Sequence, residues 1–216
     1  RAIRWAARSM FRRSQRVIAL SAQDRDLLTK VLGVEPGRAE VLANAVPASK
    51  GRRLTSEHKQ AHIIFLGNLS RRKGVHDLIR ALASNTLREL DWHATLAGGG
   101  SELSYFQELV NAAGVANRVA IPGWVDREGV AALMDSADVL VLPSYDEGMA
   151  MSVLEGLSRG LCVVSTPVGG LADVVEDRVS GLVVTPGAVV GFAEALAACL
   201  SDNELAARLQ AGALDL

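Results

Sequence analysis

From residue 61 onward, short β-branched or aliphatic runs alternate with longer stretches of helical period. The runs fall at residues 63–66, 93–97, 119–121, 139–142, 162–165 and 182–184. They are apolar on both faces, as the strands of a parallel sheet covered by helices on both sides must be. Helical patterns lie between them near 75–88, 102–113, 127–136, 151–159, 170–176 and 189–200, with a last one near 202–212. Six strand–helix units in succession predict an α/β fold with a doubly wound parallel sheet. Pro122, Pro143, Pro167 and Pro186 each follow a strand run by one or two residues, where no ladder donor is needed. Glycines gather at the same edge: Gly67, Gly98-Gly99-Gly100, Gly123 and Gly169-Gly170. Open parallel sheets bind ligands outside the carboxyl ends of their strands.

Residues 1–60 break the repeat. A helical pattern over 1–14, a strand-like run over 16–20, a second helical pattern over 23–32 and an extended piece over 41–46 precede a polar, basic stretch. The expected organisation is the tail of a preceding domain and its hinge over 1–49, a linker over 50–60 and a ligand-binding domain over 61–216. The chain opens on Arg1 without an initiator Met, so it reads as a fragment of a longer protein, with no signal peptide in view.

Composition narrows the function. Of 216 residues 49% are apolar and 22% charged, the balance of a protein with a full core, which excludes disorder. Cys162 and Cys199 each sit in an apolar run and read as buried free thiols, which excludes a disulfide scaffold and suits a reducing, intracellular setting. The longest apolar stretch, 181–200, contains Pro186, Glu194 and three glycines, and reads as strand, turn and helix instead of a membrane span. The net charge of -1 conceals a split: residues 1–60 carry 13 basic and 5 acidic side chains, residues 61–216 carry 10 and 19. Three of those ten are consecutive, Arg71-Arg72-Lys73, and an isolated basic triplet in an acidic domain needs a reason.

Four segments could carry chemistry. Gly67-Asn68-Leu69-Ser70-Arg71-Arg72-Lys73-Gly74 runs from the first strand of the repeat into a helix, where free N–H groups, a positive dipole end and Lys73 suit a diphosphate. A solvated basic turn is the plainer alternative. Gly98-Gly99-Gly100 fails as a dinucleotide fingerprint because Leu103 stands where the third glycine belongs, so loop flexibility and ligand contact both remain open. The third is Pro143-Ser144-Tyr145-Asp146-Glu147-Gly148-Met149-Ala150-Met151-Ser152-Val153-Leu154-Glu155. Its backbone donors at Gly148 to Met151 suit an anionic or hydroxyl-rich ligand. Glu155, in an apolar run, points at a partner such as a vicinal diol, or else lies on the helix surface. Two carboxylates near a sugar would also fit a glycoside hydrolase pair, which leaves Lys73 without a purpose. The fourth, Thr166-Pro167-Val168-Gly169-Gly170, either faces the ligand or makes a tight turn.

The remaining candidates point to bland roles. His58, His62, His76 and His93 have no metal-ligand spacing, and no Cys/His cluster or Ser-His-Asp set is present. Arg4, Arg8, Arg12 and Arg16 recur every four residues, as on a helix lying on anionic membrane or one with a solvated basic face. Aromatic residues at 4% and the lack of a recognition motif disfavour nucleic acid as a partner.

Taken in order, these motifs resemble the retaining glycosyltransferases of the GT-B fold, the glycosyl transferases group 1 family, over residues 16–200. Gly67 to Gly74 resembles that family's Gly-Arg-Leu-x-x-x-Lys-Gly loop, Glu147 to Glu155 its Glu-x7-Glu motif, and Cys162 to Gly170 its strand and Gly-Gly turn. Residues 17–21 and 41–46 look like its segments closing the first domain and entering the hinge.

The resemblance implies that 61–216 is the Rossmann-like, carboxy-terminal donor half of a GT-B fold. The enzyme would move a hexosyl group from a nucleotide sugar to a saccharide or lipid-linked acceptor with retention. It would serve polysaccharide or glycolipid synthesis in the cytoplasm, at the membrane face. Lys73 and Glu147 would be the catalytic pair, Lys73 on the donor diphosphate and Glu147 on the sugar hydroxyls. Glu155 would hold the ribose, and Gly67, Asn68, Arg72, Gly98, Gly148, Met149, Ala150 and Met151 would complete the donor site. Neither metal nor cofactor is implied. The family's Arg beside the first glycine is Asn68 here, which leaves Arg71 or Arg72 to replace its charge. Ala150 and Ser152 stand for a common Gly and Pro, and Asn44-Ala45-Val46-Pro47 for the usual Asn-Gly-Val-Asp. A nucleotide-sugar epimerase of the same fold and a non-catalytic nucleotide-sugar binding module are the alternatives.

Overall fold

A computed structural model describes residues 2–47 and 60–216. The chain begins with α1 (Ala2–Arg13), β1 (Val17–Ala19) and α2 (Ala22–Asp26), which widens into a π turn over Leu27–Val31, then β2 (Ala39–Val41). Ser21 starts α2 because its hydroxyl accepts from the Asp24 amide at 3.0 Å. β1 and β2 pair in parallel, Val17 opposite Ala39 and Ala19 opposite Val41. The extended piece expected at 41–46 is therefore displaced: the paired strand is Ala39–Val41, and the Leu42 amide makes a last bond to the Ala19 carbonyl. The four-residue arginine stripe is also corrected. α1 ends at Arg13, so Arg16 lies beyond it and pairs with Glu40, while Arg8 donates to the Val31 carbonyl. The side chains of Arg4 and Arg12, and all but Gln60 of the expected linker, lie outside the described residues.

The repeat then follows as expected. Its elements are β3 (Ala61–Leu66), α3 (Val75–Leu82), α4 (Asn85–Arg88), β4 (Trp92–Ala97), α5 (Leu103–Ala112), β5 (Val119–Gly123), α6 (Arg127–Ser136) and β6 (Val139–Leu142). After these come α7 (Met151–Ser158), β7 (Cys162–Ser165), α8 (Leu171–Val174), β8 (Leu182–Val183), α9 (Val189–Ser201) and α10 (Asn203–Leu214). The six strands form one parallel sheet in the order β5-β4-β3-β6-β7-β8. Ile63, Ile64 and Phe65 on β3 and all of β6 and β7 are buried, so the apolar runs are explained by helices on both faces. α9 lies on α3 and α4, and α10 on α7.

Two local expectations change. The helix expected over 75–88 is broken at Ala83–Ser84, where Ser84 is extended (ψ 155°); Ser84 and Asn85 are residues that favour helix ends over helix interiors. Pro122 lies inside β5 and not after it. The sheet accepts it because β5 is an edge strand, and the register to β4 shifts at that point.

His62 and His93 are stacked at 4.1 Å between ring centroids, at the amino-terminal end of β3 and β4, and His62 is buried. Both cysteines are free and buried, and the Cys199 thiol is pushed up by its hydrogen bond to Cys162 and by burial.

Candidate active site

The chain order of the sheet reverses between β3 and β6, the place where open parallel sheets bind ligands in a crevice beyond the carboxyl ends of their strands. The loop after β3 carries the basic triplet in a 3-10 turn, Arg71–Lys73, followed by Gly74. Gly74 has φ +69°, and a Cβ there would lie 2.0 Å from the Pro143 carbonyl oxygen. Only glycine lets this turn lie directly on the loop that follows β6. Lys73 ends up in that turn and not in α3, which begins at Val75.

The contact places charge against charge. Lys73 Nζ donates to Glu147 Oε1 at 2.5 Å, and Ser144 Oγ donates to the same oxygen at 2.5 Å. The two charged side chains are 15% and 6% exposed, so the pair is shielded from solvent. Arg72 Nη1 donates to the Asp146 carbonyl at 3.0 Å and lies 3.4 Å from its carboxylate. Arg71 turns to α5, its amide and Nε on Glu102 at 3.0 and 3.2 Å and its guanidinium 4.8 Å over the Tyr105 ring. Each cation of the triplet thus faces an acid from another loop, which explains an isolated basic run in an acidic domain. Arg71 is engaged with Glu102, which leaves Arg72 and Lys73 beside the Glu147 loop.

That loop is laced on both sides. The Tyr145 amide donates to the Arg72 carbonyl at 2.9 Å, and the Tyr145 hydroxyl to Asp77 Oδ2 at 2.7 Å. On the other flank the Gly170 amide donates to the Gly148 carbonyl at 2.6 Å, and Thr166 Oγ1 to the Ser144 carbonyl at 2.7 Å. The Gly169-Gly170 turn is therefore a seat for the Glu147 loop. The glycines after β4 play a similar part: a Cβ on Gly98 would lie 1.8 Å from the Gly67 carbonyl oxygen, so these two backbones cross in direct contact. Gly98 is buried and its amide donates to the Gly123 carbonyl at 2.8 Å, which argues for close packing over loop flexibility.

The Asp77 carboxylate holds the Tyr145 phenol above its ordinary value, chiefly through their hydrogen bond. The sign follows: a group whose folded value is raised contributes stability at pH below its unfolded value, and that contribution is lost as pH rises through the folded value. Tyr145→Phe should therefore destabilise the protein by the same amount at every pH from 6 up to about 9. The difference should shrink only above 10.0, the ordinary phenol value. Urea midpoints of both proteins across that range check it.

Among the described residues, no hydrogen bond uses the amides of Gly148, Met149 or Ala150, and α7 opens at Met151 without a side-chain cap. These donors and the helix start face the end of the loop. Glu155, eight residues beyond Glu147, is half-buried one turn into α7. It lines a groove of about 420 Å³ with Arg127, Arg159, Val46 and Pro47, and no ion pair among the described residues reaches its carboxylate. Asn68 is exposed beside Gly100. The sequence reading missed Trp124, which is 79% exposed and lies over Gly99, where a Cβ would come within 2.1 Å of the indole nitrogen. It also missed Tyr145 and Asp77 as a pair. Asp77, an acid at a core position of an apolar helix, was the available signal.

The family model described as glycosyl transferases group 1 matches residues 49–215. The chain belongs to this family. It is 30% identical over 203 residues to a glycogen synthase of Mycobacterium tuberculosis, covering 92% of this chain and 49% of that protein. The fold matches sucrose-phosphate synthase from Thermosynechococcus elongatus with a TM-score of 0.87 at 23% identity, over 99% of this chain and 56% of that one. It also matches Anabaena Alr3699/HepE, solved in complex with UDP-glucose, with a TM-score of 0.83 at 23% identity over 99% and 61%. The group 1 chain described here spans about half the length of the curated relatives it matches. The sheet of 61–216 is thus the Rossmann-like carboxy-terminal lobe of a GT-B fold. Among the described residues no cluster of three or more His, Cys, Asp or Glu could hold a metal, and no helix is long and apolar enough to cross a membrane.

Proposed function

We propose that the protein containing this chain transfers a hexosyl group from a nucleotide sugar to a saccharide or lipid-linked acceptor, with retention, and that residues 61–216 hold the donor. In this reading residues 1–49 are the end of the acceptor domain and its hinge. The observation that carries it is the shielded Lys73–Glu147 pair at the reversal of strand order, beside a helix start with unused amides. Lys73 and the amides of Gly148 to Met151 take the diphosphate and offset the charge that develops on it as the sugar departs. Glu147 accepts from the sugar hydroxyls and Glu155 from the ribose diol. Gly67, Asn68, Gly98 and Arg72 border the same crevice. UDP-glucose in the Anabaena relative supports a nucleotide-sugar donor, and retention rests on the family pattern of Glu147 and Glu155.

Thermal melting of the full-length protein with UDP, GDP, ADP and their hexose sugars tests the reading. Stabilisation grows with the logarithm of ligand excess, so one base series should raise the melting temperature above the others. No shift with any nucleotide would contradict donor binding. Conversion of the sugar without an acceptor would instead indicate an epimerase, and binding without transfer a binding module. Trp124 offers an exposed aromatic face to the base. Trp124→Ala should weaken the nucleoside diphosphate by about 5- to 150-fold in titration calorimetry, the range of one base stacked on an aromatic ring.

A further inference from the structure

We propose that Tyr145 is a positioning residue for the donor sugar: by donating its hydroxyl to Asp77 it fixes the loop that carries Glu147, and so sets the preference for a nucleotide sugar over the bare nucleoside diphosphate. The inference rests on the reading of Glu147 as the sugar contact. Glu147 is held by two groups, Lys73 and Ser144, both on Oε1. When a diphosphate arrives, Lys73 is divided between the phosphate oxygens and Glu147. The hold on Glu147 then falls to Ser144 and to the backbone between Pro143 and Gly148.

The carbonyls of Ser144, Asp146 and Gly148 are anchored independently of Lys73, by Thr166, Arg72 and Gly170, and Tyr145 adds the side-chain tie from that stretch to α3. Asp77 stands on α3, is 3% exposed, and has two basic neighbours. His76 Nε2 lies 3.3 Å from its Oδ2, and Arg80 Nη1 lies 3.9 Å from its Oδ1. The phenol ring lies parallel to His76, with 6.1 Å between centroids and 5° between planes. On the far side a Cβ at Gly187 would come within 2.8 Å of the hydroxyl, so the turn after β8 approaches it while Tyr145 as a whole stays 44% exposed. The Tyr145 amide is bound to Arg72 as well. Backbone and side chain of one residue therefore tie the loop to the basic turn and to α3. A buried carboxylate costs free energy unless paired, and an apolar residue at position 77 would avoid that cost. The pairing with Tyr145 supplies a reason for it.

Titration calorimetry on the full-length protein tests this with UDP and UDP-glucose, or with the corresponding guanosine or adenosine pair if the melting panel selects it. Tyr145→Phe keeps the ring and removes the donor. It should leave affinity for the nucleoside diphosphate within about twofold and lower affinity for the nucleotide sugar about 3- to 10-fold, the size of one hydrogen bond. Asp77→Ala should reproduce that split, the double variant should be no worse than either single one, and Asp77→Asn, which keeps an acceptor, should retain the preference. Equal weakening of both ligands by Tyr145→Phe, or no change in either, would overturn the inference. Glu147→Gln separates the two claims. If it leaves the preference intact, the sugar-contact reading fails and takes the inference with it. If it removes the preference while Tyr145→Phe does not alter it, only the role of Tyr145 is lost.

Discussion

On the proposed function, Lys73→Ala should lower kcat/KM for transfer by the full-length protein by about 100- to 10,000-fold. Removing one preorganised donor aimed at developing charge costs about 100- to 1,000-fold by itself. The second part of the loss comes from Glu147. Its side chain is 6% exposed, and without Lys73 its carboxylate keeps, among the described residues, only the Ser144 hydroxyl. Removing one partner of a buried ion pair costs about 3–5 kcal/mol, since the other charge remains desolvated. The urea midpoint should therefore fall together with activity. The double variant Lys73→Ala/Glu147→Gln separates these effects, because it removes the stranded charge. It should recover stability and leave transfer abolished. Transfer within twofold of wild type in Lys73→Ala would remove Lys73 from the mechanism.

Gly169→Ala should be among the most damaging substitutions outside the charged pair. Gly169 has φ +55°, where a Cβ costs about 1–2 kcal/mol. That Cβ would also lie 1.8 Å from the Glu147 carbonyl oxygen and 2.9 Å from that of Gly148. Both obstacles are backbone atoms, so no side-chain rotation relieves them, and the Glu147 loop has to retreat by about 1 Å to restore contact distance. A displacement of that size at a reacting centre costs about 100-fold in rate. The combined strain of about 2–4 kcal/mol should lower Tm by about 5–15 °C for a chain of this length. A Cβ on Gly148 meets nothing within 4 Å, so Gly148→Ala should keep its Tm. Scanning calorimetry of the two variants checks the contrast, and an unchanged Tm in Gly169→Ala would show that the two loops are not in contact.

The strands were legible because burial on both faces leaves few polar positions, most strictly in β6, and all six runs expected from residue 61 onward are strands of one sheet. Failures came where a neighbour decides. Pro122 is tolerated in a strand because β5 has no partner on its outer side, a fact of sheet order and not of local sequence. The strand expected at 41–46 lies earlier because β1 fixes its register, Val17 on Ala39. In the site, the basic turn and the Glu147 loop could be found from residue types and spacing. Their partners could not. Arg71 meets Glu102 from 31 residues away, and Tyr145 meets Asp77 from 68, through a sheet order no local pattern encodes. The two glycines after β7 looked as much like a ligand cradle as a tight turn, and only the Glu147 loop seated on them decides the matter.

The most direct test is a crystal structure of the full-length protein with the nucleoside diphosphate selected by thermal melting. The diphosphate should lie within hydrogen-bonding distance of Lys73 Nζ and of the amides of Gly148 to Met151, with the ribose hydroxyls on Glu155. A nucleotide bound elsewhere, or one whose phosphates leave the Lys73–Glu147 pair untouched and point away from the start of α7, would contradict the assignment of this crevice as the donor site.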